Sequence, residues 1–350
     1  MENKIKLGKM IVGESKPCFI ICEGGVTNYG QVDLAKKQVE AAFEAGADVI
    51  KFQATKTEKL VSKKVSNRLE KELGYNWFER MKYKEFSDVQ MEKIFNHAQN
   101  TGIPAFATAH DNESLDFLDN IIKQPYFKVG SGEAHNYEFL KNIAKRKKPV
   151  IISFGIQADE EVDMAINTLR RNGVKSIVIL HCVSIYPTPY EHANLKRMEY
   201  FRDKYNVPVG ISDHSVGWHI PLAAVARGAC IVEKHLTFDK TDPRSLDNPG
   251  ALLPQEFKLM VKQIRDIENA LKQHTEKNRI KTLEKGRNWA GQSIVANRDL
   301  PVGAVLKKDM VDFKRPSKGG LPPAMINRIV GRKIRKMIEE DEQIKLEDLC

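Results

Sequence analysis

Eight short apolar runs, with room for an amphipathic helix between most neighbours, constrain this chain more than any other feature. They are CFIIC (18–22), DVIKF (48–52), PAFAT (104–108), YFKVG (126–130), PVIIS (149–153), SIVIL (176–180), VPVGI (207–211) and ACIVE (229–233). Near-continuous apolar character over about five residues suits parallel strands covered on both faces. Helices with readable ends lie between them. "DLAKKQVEAAFEAG" offers Asp33 as N-cap, Ala35, Val39, Ala42 and Phe43 on one face, and Gly46 as the stop. Ser87 and Gln90 have capping-box spacing ahead of a helix that ends near Gly102. Further helices are expected near 136–147, 158–172, 215–227 and 254–272. This order and size predict a (β/α)8 TIM barrel. A doubly wound open sheet is the second choice, since no GxGxxG follows the first strand.

Two segments break the rhythm. Residues 54–86 are too long for a simple strand-to-helix connection and are expected to form a partly ordered flap beside the barrel mouth. Residues 274–288, "HTEKNRIKTLEKGRN", are highly charged and nearly free of large apolar side chains, as a linker should be. The tail from Trp289 carries turn chemistry in "DLPVG" and "PSKGGLPP" and reads as a small domain of short strands. The expected organisation is therefore a barrel over 1–273, a linker over 274–288 and a second domain over 289–350.

No apolar run is long enough to span a bilayer, and "MENKIKLGKM" lacks the apolar stretch of a signal peptide, so a cytoplasmic protein is expected. The formal charge of +10 comes from 56 basic and 46 acidic residues. The lysines are scattered over helical segments without interleaved aromatics, which disfavours nucleic-acid binding and fits a surface suited to anionic small molecules. Of five cysteines, Cys18, Cys22, Cys182 and Cys230 sit in apolar runs and read as small buried hydrophobes; Cys350 is terminal.

The strand ends carry the chemistry. Glu23 closes the first run, backed by Gly24 and Gly25; Lys51 and Gln53 follow on the second and Thr108 with His110 on the third. The fourth gives Lys128, Ser131 and Glu133, the fifth Ser153, and the sixth His181 with Ser184 and Tyr186 after it. The last two give Ser212, Asp213 and His214, then Glu233, Lys234 and His235. In a parallel barrel all C-terminal ends meet on one rim, so these side chains are expected to face one cavity. A lone Ser or Thr is more simply a core or loop residue, but eight strand ends in register read as an active-site rim. Lys51 and Lys128, with hydroxyls at Thr108, Ser131, Ser153 and Ser212, suit a phosphorylated or carboxylated substrate. For His97, His192 and His219 a structural role is the simpler reading. His214 and His235 end adjacent strands beside carboxylates, where two neutral imidazoles can share a divalent ion.

With those residues in place, the chain resembles the sialic acid synthase family over nearly its whole length. The stretches that carry the resemblance are "EAGADVIKFQ", "FKVGSGE", "KPVIISFG", "ILHCVSIYPTP", "GISDHSVG" and "EKHLTFDK". The tail, with "VANRDLPVGAVLKKDM" and "KRPSKGG", resembles the antifreeze-like (SAF) domain that follows the barrel in that family. The resemblance implies condensation of phosphoenolpyruvate with an N-acylated mannosamine-type sugar to a nine-carbon α-keto acid, with Mn2+ or Mg2+ as cofactor. It implies His214 and His235 as metal ligands and Glu23 as the catalytic glutamate. Lys51, Thr108, Lys128, Ser131, Ser153, Ser184 and Ser212 fall at phosphoenolpyruvate positions. Gln53, Tyr186, Glu233 and Asp247 fall at sugar-side positions. Arg315 matches an arginine reaching the partner subunit's site, which implies a domain-swapped homodimer.

The chain departs from the family pattern at "GVTNYG", where Thr27, Asn28 and Tyr29 replace Asn-His-Asn, and at Ser184, where Asn is common. It departs again at Ser245, Leu246, Asp247 and Asn248, which replace Gly-Pro-Asp-His, and at Ala251, which replaces a Ser. Apart from Ser184, these departures lie in sugar-side loops, so the acceptor need not be N-acetylmannosamine. Glu23 could steer water, open the sugar ring or position a metal-bound water. A synthase of shorter keto sugar acids is disfavoured by the SAF-like tail, and a non-catalytic sugar-binding barrel by the intact Lys and His set.

Overall fold

The computed structural model of the chain describes residues 4–273 and 275–350. It divides into two compact units, Met1–Leu271 and Lys272–Cys350.

The first unit begins with an antiparallel hairpin, β1 (Lys4–Leu7) and β2 (Met10–Gly13). Eight parallel strands follow: β3 (Phe19–Gly25), β4 (Val49–Ala54), β5 (Ala105–Ala109), β6 (Phe127–Val129), β7 (Val150–Phe154), β8 (Ile177–Cys182), β9 (Val209–Asp213) and β10 (Ile231–His235). They close into a barrel in chain order, with β10 paired to both β9 and β3. The predicted (β/α)8 architecture is therefore present. Several strands run one to three residues past their predicted ends. The apolar pattern stops at the first polar side chain, whereas the backbone ladder continues through Glu23, Gln53, Cys182, Asp213 and His235.

The strand period of two divides the core. Cys22, Ile50, Phe52, Ala107, Ile152, Ile179, Ile211 and Val232 face outward and pack under the helices. Phe19, Ile21, Val49, Phe106, Tyr126, Ile151, Val178, Leu180 and Ile231 fill the interior, joined by Ile5, Leu7 and Val12 of the hairpin. The hairpin thus floors the barrel, and each such side chain contributes about 1.5–3 kcal/mol of burial.

Helices α1 (Val32–Ala45), α2 (Thr57–Leu60), α3 (Lys63–Leu73), α4 (Trp77–Lys82), α5 (Asp88–Thr101), α6 (Asn112–Asn120), α7 (Tyr137–Ala144), α8 (Asp159–Arg171), α9 (Lys196–Tyr205), α10 (His219–Ala226) and α11 (Pro254–Leu271) connect or follow the strands. In α1, Ala35, Val39 and Ala42 are buried as expected and Gly46 ends the helix at φ +78°. Gln31, not Asp33, occupies the N-cap, and Asp33 lies in the first turn, where its charge complements the helix dipole. Phe43 is half exposed rather than buried. The capping box of Ser87 and Gln90 is present, and Gly102 terminates α5. The expected flap over 54–86 is instead a set of three short helices. Ser66 knits it together, accepting from the Phe78 N–H and donating to Asn76 Oδ1, both at 2.8 Å. Helices α6 and α9 have no counterpart in the sequence reading. In α9 only Met198, Phe201 and Tyr205 are buried among charged neighbours, a thin apolar stripe. No helix among the described residues is long and apolar enough to cross a membrane.

The second unit opens with α12 (Glu276–Ala290), which buries no described side chain, over most of the expected linker; position 274 lies outside the described residues. Strands β11 (Ser293–Ala296) and β12 (Val311–Lys314) pair antiparallel. Ile294, Leu300, Leu306, Ile329, Ile334, Ile338, Ile344 and Leu349 form a separate core, so the tail is a small domain of short strands.

Candidate active site at the C-terminal end of the barrel

Strand parity decides which polar side chains enter the cavity. On β3, Glu23 shares the inward face with Ile21; on β10, Glu233 and His235 share it with Ile231. Lys51, Thr108, Lys128, Ser153 and Ser212 occupy inward positions on the other strands and are all buried. Gly24 and Gly25 behind Glu23 are explained by space. A Cβ at Gly24 would lie 2.8 Å from the Phe52 ring, and one at Gly25 would lie 3.1 Å from His235 Nδ1 and 3.2 Å from Glu23 Oε1. Gly25 also has φ +48°, a conformation that favours glycine.

The buried charges form a chain of alternating sign. Lys51 Nζ lies 3.0 Å from Glu23 and 3.3 Å from Glu233, and donates to Thr108 at 3.3 Å. Lys128 donates to Ser153 at 2.7 Å and to the Val129 carbonyl at 3.0 Å, with Glu233 4.0 Å away. Ser212 donates to Glu233 at 2.8 Å, and Gln53 donates to Glu23 at 3.3 Å. Burial opposes the charge on Lys51, but Glu23 and Glu233 outweigh it and raise the ammonium to about 12. Burial also opposes ionisation of Glu233; Lys128 and Lys51 overcome it and hold that carboxyl at about 2. For Glu23 burial dominates and raises its pKa, and for Lys128 burial dominates and lowers it. Lys128 is therefore the cation with the most to gain from an arriving anion.

Beside it lies a cradle. The Ser131 hydroxyl accepts from the Gly155 N–H at 2.9 Å and donates to Gln157 Oε1 at 3.1 Å. A Cβ at Gly155 would lie 2.5 Å from Ser184 Oγ, 3.0 Å from Cys182 Sγ and 3.2 Å from Ser131 Oγ, so only glycine leaves this space open. His110 and Glu133 pair at 2.9 Å. Although burial acts against it, His110 keeps the Glu133 carboxyl below its usual range.

His214 and His235 face each other with ring centroids 5.5 Å apart, and the Tyr186 ring stacks 4.0 Å from His214. Burial, reinforced by His235, lowers His214 to about 4, so its ring is neutral at pH 7. Its Nδ1 lies 2.9 Å from the Val183 carbonyl and so carries the proton, which leaves Nε2 free as a ligand. His235 Nδ1 is buried without a hydrogen-bond partner, and its nearest carboxylate is Asp247 at 3.7 Å. Among the described residues no group of three or more His, Cys, Asp or Glu side chains is assembled around one ion position. The pair fits an ion whose remaining positions are filled by water or substrate, rather than a closed structural site.

Three expected rim residues do not enter the cavity. His181, Asp213 and Lys234 have the opposite parity and point into the outer layer. There His181 Nε2 meets the Ala193 carbonyl at 2.8 Å, and Lys234 binds Asp213 and the Ser215 carbonyl at 2.5 Å each. Arg315 belongs to the second unit and is exposed. Cys182 and Gln157 line the cradle without having been singled out as site residues; the inward parity of Cys182 was available in the sequence. Thr27 and Asn28 turn out to be structural, bonded to the Leu236 and Gly25 carbonyls at 2.7 and 3.0 Å.

Residues 38–276 match the NeuB family and residues 291–349 match the SAF domain. The chain is similar to the N,N'-diacetyllegionaminic acid synthase of Campylobacter jejuni, with 37% identity covering 94% of this chain and 99% of that one. It is also similar to the N-acetylneuraminate-9-phosphate synthase of Mus musculus, with 34% identity covering 97% and 94%. Among solved structures, the N-acetylneuraminic acid synthetase of Leptospira borgpetersenii superposes with a TM-score of 0.70 at 32% identity, covering 82% of this chain and 98% of that one.

Proposed function

The chain belongs to the NeuB family, and from that premise we propose that it condenses phosphoenolpyruvate with an N-acylated mannosamine-type sugar to give a nine-carbon α-keto sugar acid and phosphate. The observation that carries this reading is the buried chain Glu23–Lys51–Glu233–Lys128 set beside two facing imidazoles. Lys128 and Lys51, with the hydroxyls of Thr108, Ser131, Ser153, Ser184 and Ser212, hold the phosphate and carboxylate of phosphoenolpyruvate. In that water-poor site fixed ammonium groups stabilise developing charge more than water would. Gln53, Tyr186, Glu233 and Asp247 orient the open-chain sugar. Mn2+ or Mg2+ held by His214 and His235 would supply Lewis-acid polarisation of the aldehyde carbonyl.

The enol carbon then bonds to the aldehyde carbon, whose oxygen takes up a proton to become a hydroxyl. Water adds at the carbon bearing phosphate, and Glu23 accepts its proton. The C–O bond to phosphate then breaks with its electron pair leaving on phosphate, and the added hydroxyl gives up its remaining proton to complete the keto group, so that the two protons of the water balance those taken up by the aldehyde oxygen and by phosphate. Burial raises the Glu23 carboxyl above its usual range, which makes it a better proton acceptor than a solvated carboxylate.

Incubation with phosphoenolpyruvate, Mn2+ and a panel of N-acylated hexosamines, read as phosphate release and product mass, tests the reading. Glu23→Gln is expected to abolish phosphate release while leaving the melting temperature near that of the parent; near-normal turnover would remove Glu23 from the chemistry.

A further inference from the structure

The segment joining α4 to α5 carries a cation that the condensation does not use. Lys84 is 7% exposed, and its ammonium makes no hydrogen bond or ion pair among the described residues. Burial lowers its pKa to about 8, with Asp247 and Asp242 as the attracting charges and Arg80 as the repelling one.

Its surroundings form one wall. Arg80 donates to the carbonyls of Pro243 and Arg244 at 3.2 and 3.3 Å. Arg244 donates to the Tyr83 hydroxyl at 3.2 Å and lies 3.9 Å over the Tyr29 ring, whose hydroxyl accepts from Asn248 at 2.8 Å. A Cβ at Gly30 would lie 2.8 Å from the Tyr83 carbonyl oxygen, so the two segments are in direct contact. The wall unites Tyr29 with Ser245–Asn248, two places where the sequence leaves the family pattern, and it ends at Asp247 beside His235. Asp242 neutralises Arg244 through bonds of 2.5 to 3.0 Å, and among the described residues Lys84 has no carboxylate within ion-pair distance, Asp247 and Asp242 acting on it only from farther away. Such a charge is retained at a cost unless a ligand supplies its counter-ion.

We propose that Lys84 is a specificity-determining residue that pairs with an anionic substituent on the acceptor sugar. This rests on the condensation proposed above and names the class of acceptor it takes.

The test compares N-acetylmannosamine with its 6-phosphate as acceptors, using the full-length protein, Lys84→Met and Lys84→Arg with saturating phosphoenolpyruvate and Mn2+. The parent is expected to favour the phosphorylated acceptor at least tenfold in kcat/KM. Lys84→Met should lose that preference through KM, and Lys84→Arg should keep most of it. A preference for the neutral sugar in the parent, or an equal loss on both acceptors in Lys84→Met, overturns the proposal. Calorimetric titration of N-acetylmannosamine 6-phosphate into the parent and Lys84→Met separates this from the chemistry. Weaker binding to Lys84→Met by tenfold or more supports the role, and unchanged binding overturns it, whether or not phosphate is released. Absence of phosphate release with every acceptor would defeat the condensation reading alone.

Discussion

Lys51 and Lys128 project inward from β4 and β6, and burial opposes the charge on both, yet their net shifts are opposite because two carboxylates flank Lys51 closely and only Glu233, at 4.0 Å, approaches Lys128. The same logic separates Lys84, whose amine falls to about 8 against an ordinary value near 10.5. Between those values the unfolded chain binds more protons than the native one, so stability rises with pH across that window and the burial penalty is complete below it. Lys84→Met should therefore stabilise the protein by about 1–3 kcal/mol at pH 7, an advantage that shrinks between about pH 8 and 10.5. Denaturant titrations at pH 7 and 10 check this, and a variant no more stable than the parent at pH 7 contradicts it. At Gly155 the constraint is volume. Gly155→Ala places a methyl against Ser184, Cys182 and Ser131, so the KM for phosphoenolpyruvate should rise at least tenfold with only a small fall in melting temperature. Steady-state kinetics with an unchanged KM would show that the cradle does not hold the substrate. Residue identity alone announced Glu23, Lys51, Lys128, His214 and His235. Parity excluded His181, Asp213 and Lys234, and a one-residue slip in that count exchanges inside for outside.

At the scale of elements, polar strand ends and thin helical stripes were the hardest to read. The N-terminal hairpin was visible in principle: "KIKL" alternates and Gly8 supplies a turn at φ +60° before "MIVG". Its place under the barrel was not visible, because a four-residue strand gives no sign of what it covers. Leu7 is 1% exposed within the interior cluster. Leu7→Ala should cost about 2–5 kcal/mol in denaturant unfolding, whereas a surface hairpin would lose less than 1. The three helices over 57–82 show the same division. Ser62 and Asn76 are readable N-caps, but the contacts that make this segment a wall of the site join residues more than 160 apart.

On the scale of the whole molecule, the barrel and the SAF unit each own a hydrophobic core, and Arg315 lies in the second. If, as the family resemblance implies, Arg315 completes the partner's site in a homodimer, two inactive variants should rescue each other. Dimers reassembled from Glu23→Gln and Arg315→Ala chains contain one intact site per mixed dimer, so activity should recover to about a quarter of the parent's. Failure to recover, with mixed dimers confirmed by mass, would show that Arg315 does not act across the interface. The sequence by itself determined the architecture, the two-unit organisation and the residue types at the strand ends. Those follow from local periodicity, from turn residues and from the rule that parallel strands present their C-terminal ends together. Only the tertiary structure decided that Lys51 is shared by two carboxylates, that Lys84 is buried with no ion pair among the described residues and that Gly155 leaves a cradle. Burial and electrostatic pairing depend on the distance between segments remote along the chain, and residue order does not encode that distance locally.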